Sequence, residues 1–382
     1  MKNATEKARL SFWEATSILI GHGVGAGILT VPYLAAHNSL RELLLILGLC
    51  YLFNFLLHLI IAELSYNNDG AQFIACFDRE LRWGKAVTWG AFALLGLSVI
   101  FNVSAFLTGA ANVFTEWFGL SRPLGMLLFY VLGAGVVFFG LKLVGVCEKF
   151  SVAAMVLVVG LLLAATLRSE TQPMPTGFRG MNNALALFGM ISFSLSAVMS
   201  TPQVVKGLDG DKTKIRGAIA AGLGINASLI LLVTLTTLLA AGEQISEKGA
   251  LVDLSAHLGG WVQIVGYVFT LFALATSFWA NTLNLRDIIH EQTRWELKLS
   301  WLAASAPCLL IALFVPASFV GLTRFASIIQ VVTGLGIIVA YYRSRKRVGT
   351  SELVGAFGTL PILILVMLCS LLATVGAVLP VN

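Results

Sequence analysis

Four glycines, Gly21, Gly23, Gly25 and Gly27, alternate with other residues in the middle of the first long apolar stretch of the chain. Glycine costs a helix about 0.8–1 kcal/mol per position relative to alanine, so continuous helix is the less favourable conformation here. This spacing does not keep the glycines on one helix face, which argues against the alternative of simple close packing between helices. The pattern therefore predicts an unwound segment.

An unwound segment exposes backbone groups that can bind ions. The amides of Gly25, Ala26 and Gly27 would open the next half-helix and could hold a carboxylate, because helix N-termini favour anions. The freed carbonyls of Gly21 and Val24 would face the other way, which suits a cation or an ammonium group. We therefore expect a ligand site at this segment.

A second apolar stretch carries serines at Ser192, Ser194, Ser196 and Ser200, followed by Pro202. Serine side chains compete locally with helical hydrogen bonds, and proline removes a backbone donor. The pattern predicts a second break, whose carbonyls would meet a ligand amine. The alternative is an intact, bent helix in which the serines bond back to its own carbonyls.

A third group of oxygen atoms comes from Ala273, Thr276 and Ser277. A carbonyl and two hydroxyls at positions i, i+3 and i+4 share one helix face. Hard oxygen ligands of this kind suit a small alkali cation. The alternative is that both hydroxyls only pack against a neighbouring helix.

These residues lie in a chain whose composition is typical of a membrane protein. Of its 382 residues, 58% are hydrophobic and 12% are charged, whereas soluble domains have about 25% charged residues. A soluble enzyme, a nucleic-acid binder and a disordered chain are therefore poor interpretations. The five scattered cysteines predict packing residues, and catalytic and nucleotide-binding motifs are absent, so we expect neither an enzyme nor a cofactor.

Hydropathy and the positions of charged residues, prolines and glycines predict an all-α integral membrane protein with eleven transmembrane helices. The predicted spans lie near residues 12–36, 41–65, 84–116, 124–141, 147–168, 181–205, 215–241, 256–289, 298–315, 320–342 and 354–379.

The spacing of unusual spans predicts an internal repeat. Spans one and six carry the predicted breaks, and spans three and eight are unusually long, so each pair is five spans apart. A repeat with an odd number of spans has a second copy of opposite orientation, as is common in secondary transporters. We expect a cytoplasmic tail at 1–11, repeats at 12–168 and 181–342, and an extra helix at 354–379.

The distribution of Lys and Arg predicts the orientation. With the N-terminus in the cytoplasm, 19 of the 25 Lys and Arg residues lie in inner segments, which satisfies the positive-inside rule. The C-terminus would then lie outside. The six in outer segments are Arg41, Arg122, Arg168, Arg179, Lys248 and Arg324.

Ionisable residues inside the membrane are candidates for coupling. His22 lies within the first predicted break and could carry a proton; the alternative is a neutral histidine bonded to backbone. Glu63, near the inner end of span two, could be a gate or network carboxylate, or a solvated interfacial one. His58 follows Asn54 by four residues, which favours a structural hydrogen bond between them.

Residues 24–32 (VGAGILTVP) resemble the first-helix signature of the amino acid/auxin permeases, within the amino acid-polyamine-organocation superfamily. Residues 274–278 (LATSF), 208–212 (LDGDK) and 215–219 (IRGAI) resemble the aromatic and hydroxy amino acid permeases of bacteria. The resemblance implies a leucine-transporter-like fold, with five plus five inverted spans and alternating access around an amino acid at mid-membrane.

The resemblance also implies positions for the coupling ion. In sodium-coupled members one sodium lies between spans one and eight. The corresponding ligands here are the carbonyls of Gly21, Val24 and Ala273 and the hydroxyls of Thr276 and Ser277. Many relatives are proton-coupled, however, and some place a lysine of span five in this pocket. Lys149 is therefore a proton-coupling candidate beside His22 and Glu63, and the ion stays open.

In this fold the substrate side chain lies between spans three, six and eight. The candidates are Asn102, Ser104, Phe193 and Phe278, which would suit an apolar or aromatic side chain with one polar contact. We expect a secondary active importer of a neutral, bulky or aromatic amino acid, driven by sodium or protons, in a bacterial cytoplasmic membrane and surrounded by its lipid. A non-transporting amino-acid sensor on the same scaffold and an ion channel are the alternatives.

Overall fold

The computed structural model describes residues 9–245, 250–315, 322 and 336–379, and these residues form helices and connecting turns without a β-strand. The helices are α1 Phe12–Gly23, α2 Val31–Ala36, α3 Leu40–Tyr66, α4 Phe73–Leu81, α5 Lys85–Phe118, α6 Arg122–Phe138, α7 Leu141–Thr166, α8 Met181–Leu195, α9 Thr201–Gly207, α10 Lys212–Ala241, α11 Ala250–Leu258, α12 Trp261–Thr293, α13 Leu297–Phe314, α14 at 336–348 and α15 Leu360–Val378.

The structure contains many helices long enough to cross a membrane. Among the described residues, eight spans are long and apolar enough to cross a membrane. The number is nine when the bent pair formed by α1 and the segment Gly27–Ala36 is counted as one span. A further apolar helix, α6, has 17 residues. The protein is thus an all-helical, multi-pass membrane protein. Most of the predicted span 320–342 lies outside the described residues, so the count of eleven stays a prediction.

Several helices begin at residues whose side chains cap them. Ser11 and Glu14 form a capping box at α1, and Ser39 and Glu42 form another at α3. In each box the serine accepts from the backbone of the glutamate, whose carboxylate accepts from the serine amide. Asp211 caps α10 through the amide of Lys214. α1, α3 and α10 therefore start where local sequence satisfies some of their first amides.

The two longest helices pack against each other. α5 has 34 residues and α12 has 33, and they are in contact. The predicted span 256–289 begins too early, because 256–258 belong to the separate helix α11 and a turn at Gly259 and Gly260 precedes α12. Gly259 has φ +100°, a conformation that glycine tolerates best.

α1 lies in the interior of the bundle and contacts α7, α10 and α12. Its residues from Glu14 to Gly21 are all buried. The outer helices instead expose large apolar side chains, such as Leu132 on α6, Leu157 on α7 and Leu365 on α15. Apolar faces of this extent are expected where lipid, and not water, is the solvent.

Candidate functional site

The first glycine-rich segment interrupts the helix. α1 ends at Gly23, the amide of Gly25 donates to the Gly23 carbonyl over 2.8 Å, and a short 3₁₀ turn follows over Ala26–Leu29. Phe12–Gly23 and Gly27–Ala36 are inclined by 59° to each other. The amides of Ala26 and Gly27 open the 3₁₀ turn, and the first amides of a turn have no acceptor within it. They are available to an anion.

The serine-rich segment interrupts its helix more locally. α8 ends at Leu195, a 3₁₀ turn covers Val198–Ser200, and α9 continues from Thr201 along one span, Met181–Gly207. The amide of Ser196 donates to the Phe193 carbonyl over 3.0 Å.

His58 of α3 supports this second interruption. Its Nε2 accepts a 3.0 Å hydrogen bond from the Ala197 amide, and its Nδ1 lies 2.6 Å from the Asn54 carbonyl. Because the amide can only donate, Nε2 is unprotonated and Nδ1 carries the hydrogen. The side chain of a neutral histidine thus replaces a helical acceptor for Ala197. The predicted pairing of His58 with Asn54 is made through the Asn54 backbone.

The two interruptions lie side by side. A Cβ atom on Gly27 would be 2.5 Å from Ser194 Oγ and 3.2 Å from the Phe193 ring, and one on Gly23 would be 3.0 Å from the Ser194 carbonyl. Asn226 of α10 lies between them, with its Nδ2 donating to the Ser194 carbonyl over 2.9 Å. Within the part of the chain that the structure describes, Ser194 Oγ is buried without a hydrogen-bond partner. The glycines therefore permit the close approach that brings both segments together.

His22 links the first interruption to the second. Its Nδ1 lies 2.7 Å from Ser200 Oγ, which also accepts a 3.3 Å hydrogen bond from Asn284 Nδ2 of α12. His22 is half-buried. The predicted proton-coupling candidate therefore contacts a side chain in the second 3₁₀ turn.

The segments of α1 and α12 that carry the predicted cation ligands approach each other. A Cβ atom on Gly21 would lie 2.9 Å from Thr276 Cβ, and one on Gly25 would lie 3.4 Å from Ser277 Oγ. Thr276 Oγ1 donates to the Ala273 carbonyl over 3.0 Å. Thr276 and Ser277 are buried. These approaches bring residues of the predicted cation set on α1 and α12 close together.

Glu148 of α7 is a site residue that the sequence analysis missed. The chain brings its carboxylate to the end of α1, where a Cβ atom on Gly21 would be 1.8 Å from Glu148 Oε2. Its side chain is fully buried. The periodicity of α7 is a signal that could have found it, because Val144, Ser151 and Met155 lie on the same buried face.

Lys149, the proton-coupling candidate next to it, lies on the exposed face of α7 with Nζ above the Phe150 ring at 5.4 Å. The predicted span started at residue 147, at the membrane surface, but α7 begins at Leu141. Consecutive residues on a helix are about 100° apart, so Glu148 and Lys149 cannot share the inward direction. The structure brings the carboxylate, and not the ammonium group, to α1.

Three other predicted side chains contact neighbouring helices. Ser104 Oγ lies 2.9 Å from the Cys308 carbonyl of α13. Phe278 packs edge-to-face on Phe129 of α6, with ring centroids 5.8 Å apart. Ser192 Oγ lies 3.2 Å from Cys50 Sγ of α3. None of these contacts is with the glycine-rich interruption, whereas Phe193, 42% exposed, lies beside Gly27.

Of the remaining predicted residues, Asn102 is half-buried on α5. Glu63 lies far along α3, where its carboxylate accepts hydrogen bonds from four groups and is buried. The donors are Tyr341 Oη at 3.1 Å, Ser351 Oγ at 2.9 Å, the Glu352 amide at 2.8 Å and the Val354 amide at 2.9 Å. Glu63 thus ties the segment before α15 to α3, as a network carboxylate.

Comparison with known structures identifies the fold. The transporter MhsT in complex with L-phenylalanine matches with a TM-score of 0.71 at 14% identity, over 97% of this chain and 99% of that one. Mhp1, a nucleobase-cation-symport-1 family transporter in a closed conformation with bromovinylhydantoin bound, matches with a TM-score of 0.58 at 15% identity. The match covers 98% of this chain and 95% of that one. The chain therefore has the leucine-transporter fold that the resemblance implied.

Comparison of sequences identifies the family. An uncharacterised protein of Methanocaldococcus jannaschii is 25% identical over 174 residues, which are 42% of this chain and 38% of that protein. Residues 8–376 match the model of the tryptophan/tyrosine permease family. This confirms the predicted relation to aromatic amino acid permeases and indicates an amino acid transporter and not an enzyme. The chain belongs to the tryptophan/tyrosine permease family.

Proposed function

We propose that the protein imports a neutral amino acid with a bulky or aromatic side chain, by cation-coupled symport with alternating access. The observation that carries the proposal is the contact between the two interrupted segments, at Gly23 and Gly27 on one side and Ser194 on the other. Interrupted helices in corresponding positions of two halves are the best pointer to a transport site in this class of protein. Membership of the tryptophan/tyrosine permease family favours an aromatic substrate.

The groups at this contact suit the parts of an amino acid. The amides of Ala26 and Gly27 would bind the carboxylate, whereas the predicted Gly25 amide already donates to the Gly23 carbonyl. Carbonyls of the second interruption, near Ser196, would bind the ammonium group. The unpartnered Ser194 hydroxyl is a further polar contact. Phe193 is exposed beside Gly27 and would contact the substrate side chain. Aromatic pairs of this kind contribute about 0.5–1.5 kcal/mol beyond the burial of their area.

For the coupling ion we favour sodium. Its ligands would be the carbonyls of Gly21, Val24 and Ala273 and the hydroxyls of Thr276 and Ser277. Support comes from the approach of Thr276 to Gly21 and of Ser277 to Gly25. A bound cation would supply a positive charge that holds the end of α1 against α12. Substrate and ion would then both bind at the glycine-rich interruption, which is a physical basis for coupling them.

The proposed organisation has eleven spans in the cytoplasmic membrane of a bacterium, with the N-terminus inside and the C-terminus outside. The repeats at 12–168 and 181–342 would move relative to each other to expose the site to either side. The extra helix at 354–379 lies outside the repeat. The positive-inside distribution of Lys and Arg supports this orientation.

The experiment is uptake by proteoliposomes that contain the purified protein. Labelled tryptophan, tyrosine, phenylalanine and leucine are supplied with an inward sodium gradient, and then with a proton gradient in the absence of sodium. We expect sodium-driven accumulation of at least one aromatic amino acid. Thr276→Ala combined with Ser277→Ala should abolish that accumulation while amino-acid binding without sodium persists.

Two results would contradict the proposal. Accumulation driven only by protons would refute sodium coupling and direct attention to His22. Binding of an aromatic amino acid without accumulation under either gradient would refute import and favour the sensor.

A further inference from the structure

The carboxyl group of Glu148 is buried, and the described residues give it no hydrogen bond. Its side chain is 0% exposed, and among the described residues neither Oε1 nor Oε2 has a hydrogen-bond partner. An unpaired charge in a low-dielectric interior is so unfavourable that buried carboxylates are paired, bound to a cation or neutral. An ionisable group inside a membrane-spanning helix is also a candidate functional residue. Glu148 is therefore either protonated or bound to a cation.

No lysine of the same helix supplies such a cation. Lys142 of α7 forms an ion pair with Glu14, with Nζ 2.6 Å from Oε2. Lys149 lies on the exposed face of α7. Neither Lys142 nor Lys149 therefore neutralises the Glu148 carboxylate.

The position of Glu148 indicates which kind of cation it would bind. Its carboxyl group lies over Cα of Gly21, where any larger residue would collide with Oε2, and Thr276 of α12 lies against the same glycine. The three helices that carry these residues, α1, α7 and α12, are in mutual contact. Thr276 carries a hydroxyl and Gly21 a backbone carbonyl, and both are oxygen groups of the kind that bind hard cations.

We propose that Glu148 is an anionic ligand of a sodium ion bound between α1, α7 and α12. This adds a negatively charged ligand from a third helix to the carbonyl and hydroxyl set given above, and it rests on the proposed function. A single carboxylate balances one positive charge, so the pair is neutral inside the membrane.

The proposal has a consequence for α1. With sodium bound, Glu148 attracts the ion to the last turn of α1 and so holds α7, α1 and α12 together. Without the ion, the carboxylate must become neutral or move toward water, and the contact at Gly21 loosens. Sodium binding should therefore stabilise the protein and should depend on Glu148 even when no amino acid is present.

The test is equilibrium binding of ²²Na⁺ to the purified full-length protein without amino acid, at constant pH and ionic strength, with choline as the replacement cation. We expect saturable binding that Glu148→Gln weakens at least tenfold. Glu148→Asp, which keeps the charge but shortens the side chain, should give an intermediate affinity. Glu170→Gln, which removes the same charge from an exposed loop residue, should bind as the wild type does.

Stability provides a second readout, which also controls for misfolding. Sodium should raise the melting temperature of the wild type and of Glu170→Gln, but not that of Glu148→Gln. If Glu148→Gln fails to fold, Thr276→Val provides the test, because it removes the hydroxyl opposite Glu148 and keeps the carboxylate. Thr276→Val should weaken ²²Na⁺ binding in that case.

Three results would overturn the inference: no sodium binding by the wild type, unchanged binding by Glu148→Gln, or unchanged binding by a folded Thr276→Val. Amino-acid binding is measured separately on the same samples, so the two proposals can fail independently. If the protein binds an aromatic amino acid but not sodium, the proposed role of Glu148 is refuted and the proposed transport site is retained. If the protein binds sodium but no amino acid, the proposed transport site is refuted and the sodium site is retained.

Discussion

At the scale of single residues, the candidate site depends on small glycines next to buried polar groups. Gly21, Gly23 and Gly27 each lie where a methyl group would collide with a side chain or carbonyl of another helix. The same glycines weaken helical hydrogen bonding, so they both open the backbone and permit close approach. Polar groups such as Asn226 and His58 then satisfy the carbonyl and amide that the second interruption frees.

Substitution of Gly23 tests this dual role. In Gly23→Ala the new Cβ would lie 2.2 Å from Asn226 Nδ2 and 3.0 Å from the Ser194 carbonyl. Overpacking of this kind costs about 1–3 kcal/mol, so we expect aromatic amino-acid uptake to fall by about tenfold or more. This decrease is measured as uptake of a labelled aromatic amino acid by proteoliposomes with matched protein content.

Gly135→Ala is the matched control for Gly23→Ala. Gly135 lies within α6 and has open space around its Cβ position. This change should leave uptake unaltered and raise helix stability slightly, because alanine is the better helix former. Equal uptake by both variants would contradict a site at the contact of the two interruptions.

At the scale of elements, α15 packs directly on α8, the helix that leads to the second interruption. A Cβ atom on Gly189 would lie 2.4 Å from the Ala377 amide nitrogen, and one on Gly376 would lie 2.0 Å from the Leu185 carbonyl. Small residues allow such backbone contact between membrane helices. The extra helix outside the predicted repeat is therefore positioned to hold α8 in place.

Gly376→Leu should separate α15 from α8. The new side chain would collide with backbone atoms, which cannot move aside as a flexible side chain can. We expect a lower melting temperature in detergent and reduced uptake. Gly160→Leu on α7, where the Cβ position is open, should change neither. A Gly376→Leu protein with unaltered melting would show that this contact contributes little.

A second element contact lies between α4 and α14. Glu80 accepts hydrogen bonds from Arg347 Nη2 at 2.6 Å and from Asn68 Nδ2 at 2.9 Å. Burial alone would raise the pKa of Glu80, but the hydrogen bonds from Arg347 and Asn68 outweigh it and leave the pKa below its ordinary value. The carboxylate is thus more stable in the folded protein than in the unfolded chain.

The sign of this pKa shift sets a pH dependence. A carboxylate with a lowered pKa stabilises the fold fully above the unfolded pKa, about 4.3, and loses that contribution as the pH falls through the folded pKa. The melting temperature of Glu80→Gln should therefore lie below that of the wild type at pH 7, and the difference should shrink on acidification below about pH 4. A difference that stays constant with pH would contradict an ionised Glu80 in this contact.

At the scale of the whole molecule, the charges predict how the chain lies in the membrane. Basic residues concentrate in alternate loops, which favours a cytoplasmic N-terminus. On that orientation the loop after α7 is outside, and the segment between α14 and α15 is inside. Both loops contain exposed residues, Glu170 and Thr350, that can report their side.

Cysteine labelling tests the orientation. In a variant whose five native cysteines are replaced by alanine or serine, Glu170→Cys should react with a membrane-impermeant maleimide in intact cells. Thr350→Cys should react only after permeabilisation. The reverse pattern would invert the predicted topology, and reaction of both in intact cells would indicate a wrong number of spans between them.

The amino-acid sequence by itself indicated the lipid environment and the family, and it predicted the two segments at which helices would be interrupted. These depend on local properties: apolar length, the low helix propensity of glycine, and serine side chains that compete for backbone hydrogen bonds. Short motifs at 24–32 and 274–278 were enough to indicate the permease family that residues 8–376 then matched. The predicted starts of α7 and α12 were less accurate, because the position of a helix end depends on its capping residues and on neighbouring helices.

Only the tertiary structure decided which polar side chains meet. Glu148 and Lys149 are adjacent in sequence, but the rotation of α7 buries the first against Gly21 and exposes the second. Likewise Ser104 and Phe278 turn toward α13 and α6, while Asn226 of α10 reaches the second interruption. The face that a membrane helix presents to its neighbours is set by packing against several helices at once, because nearly every face of it is apolar.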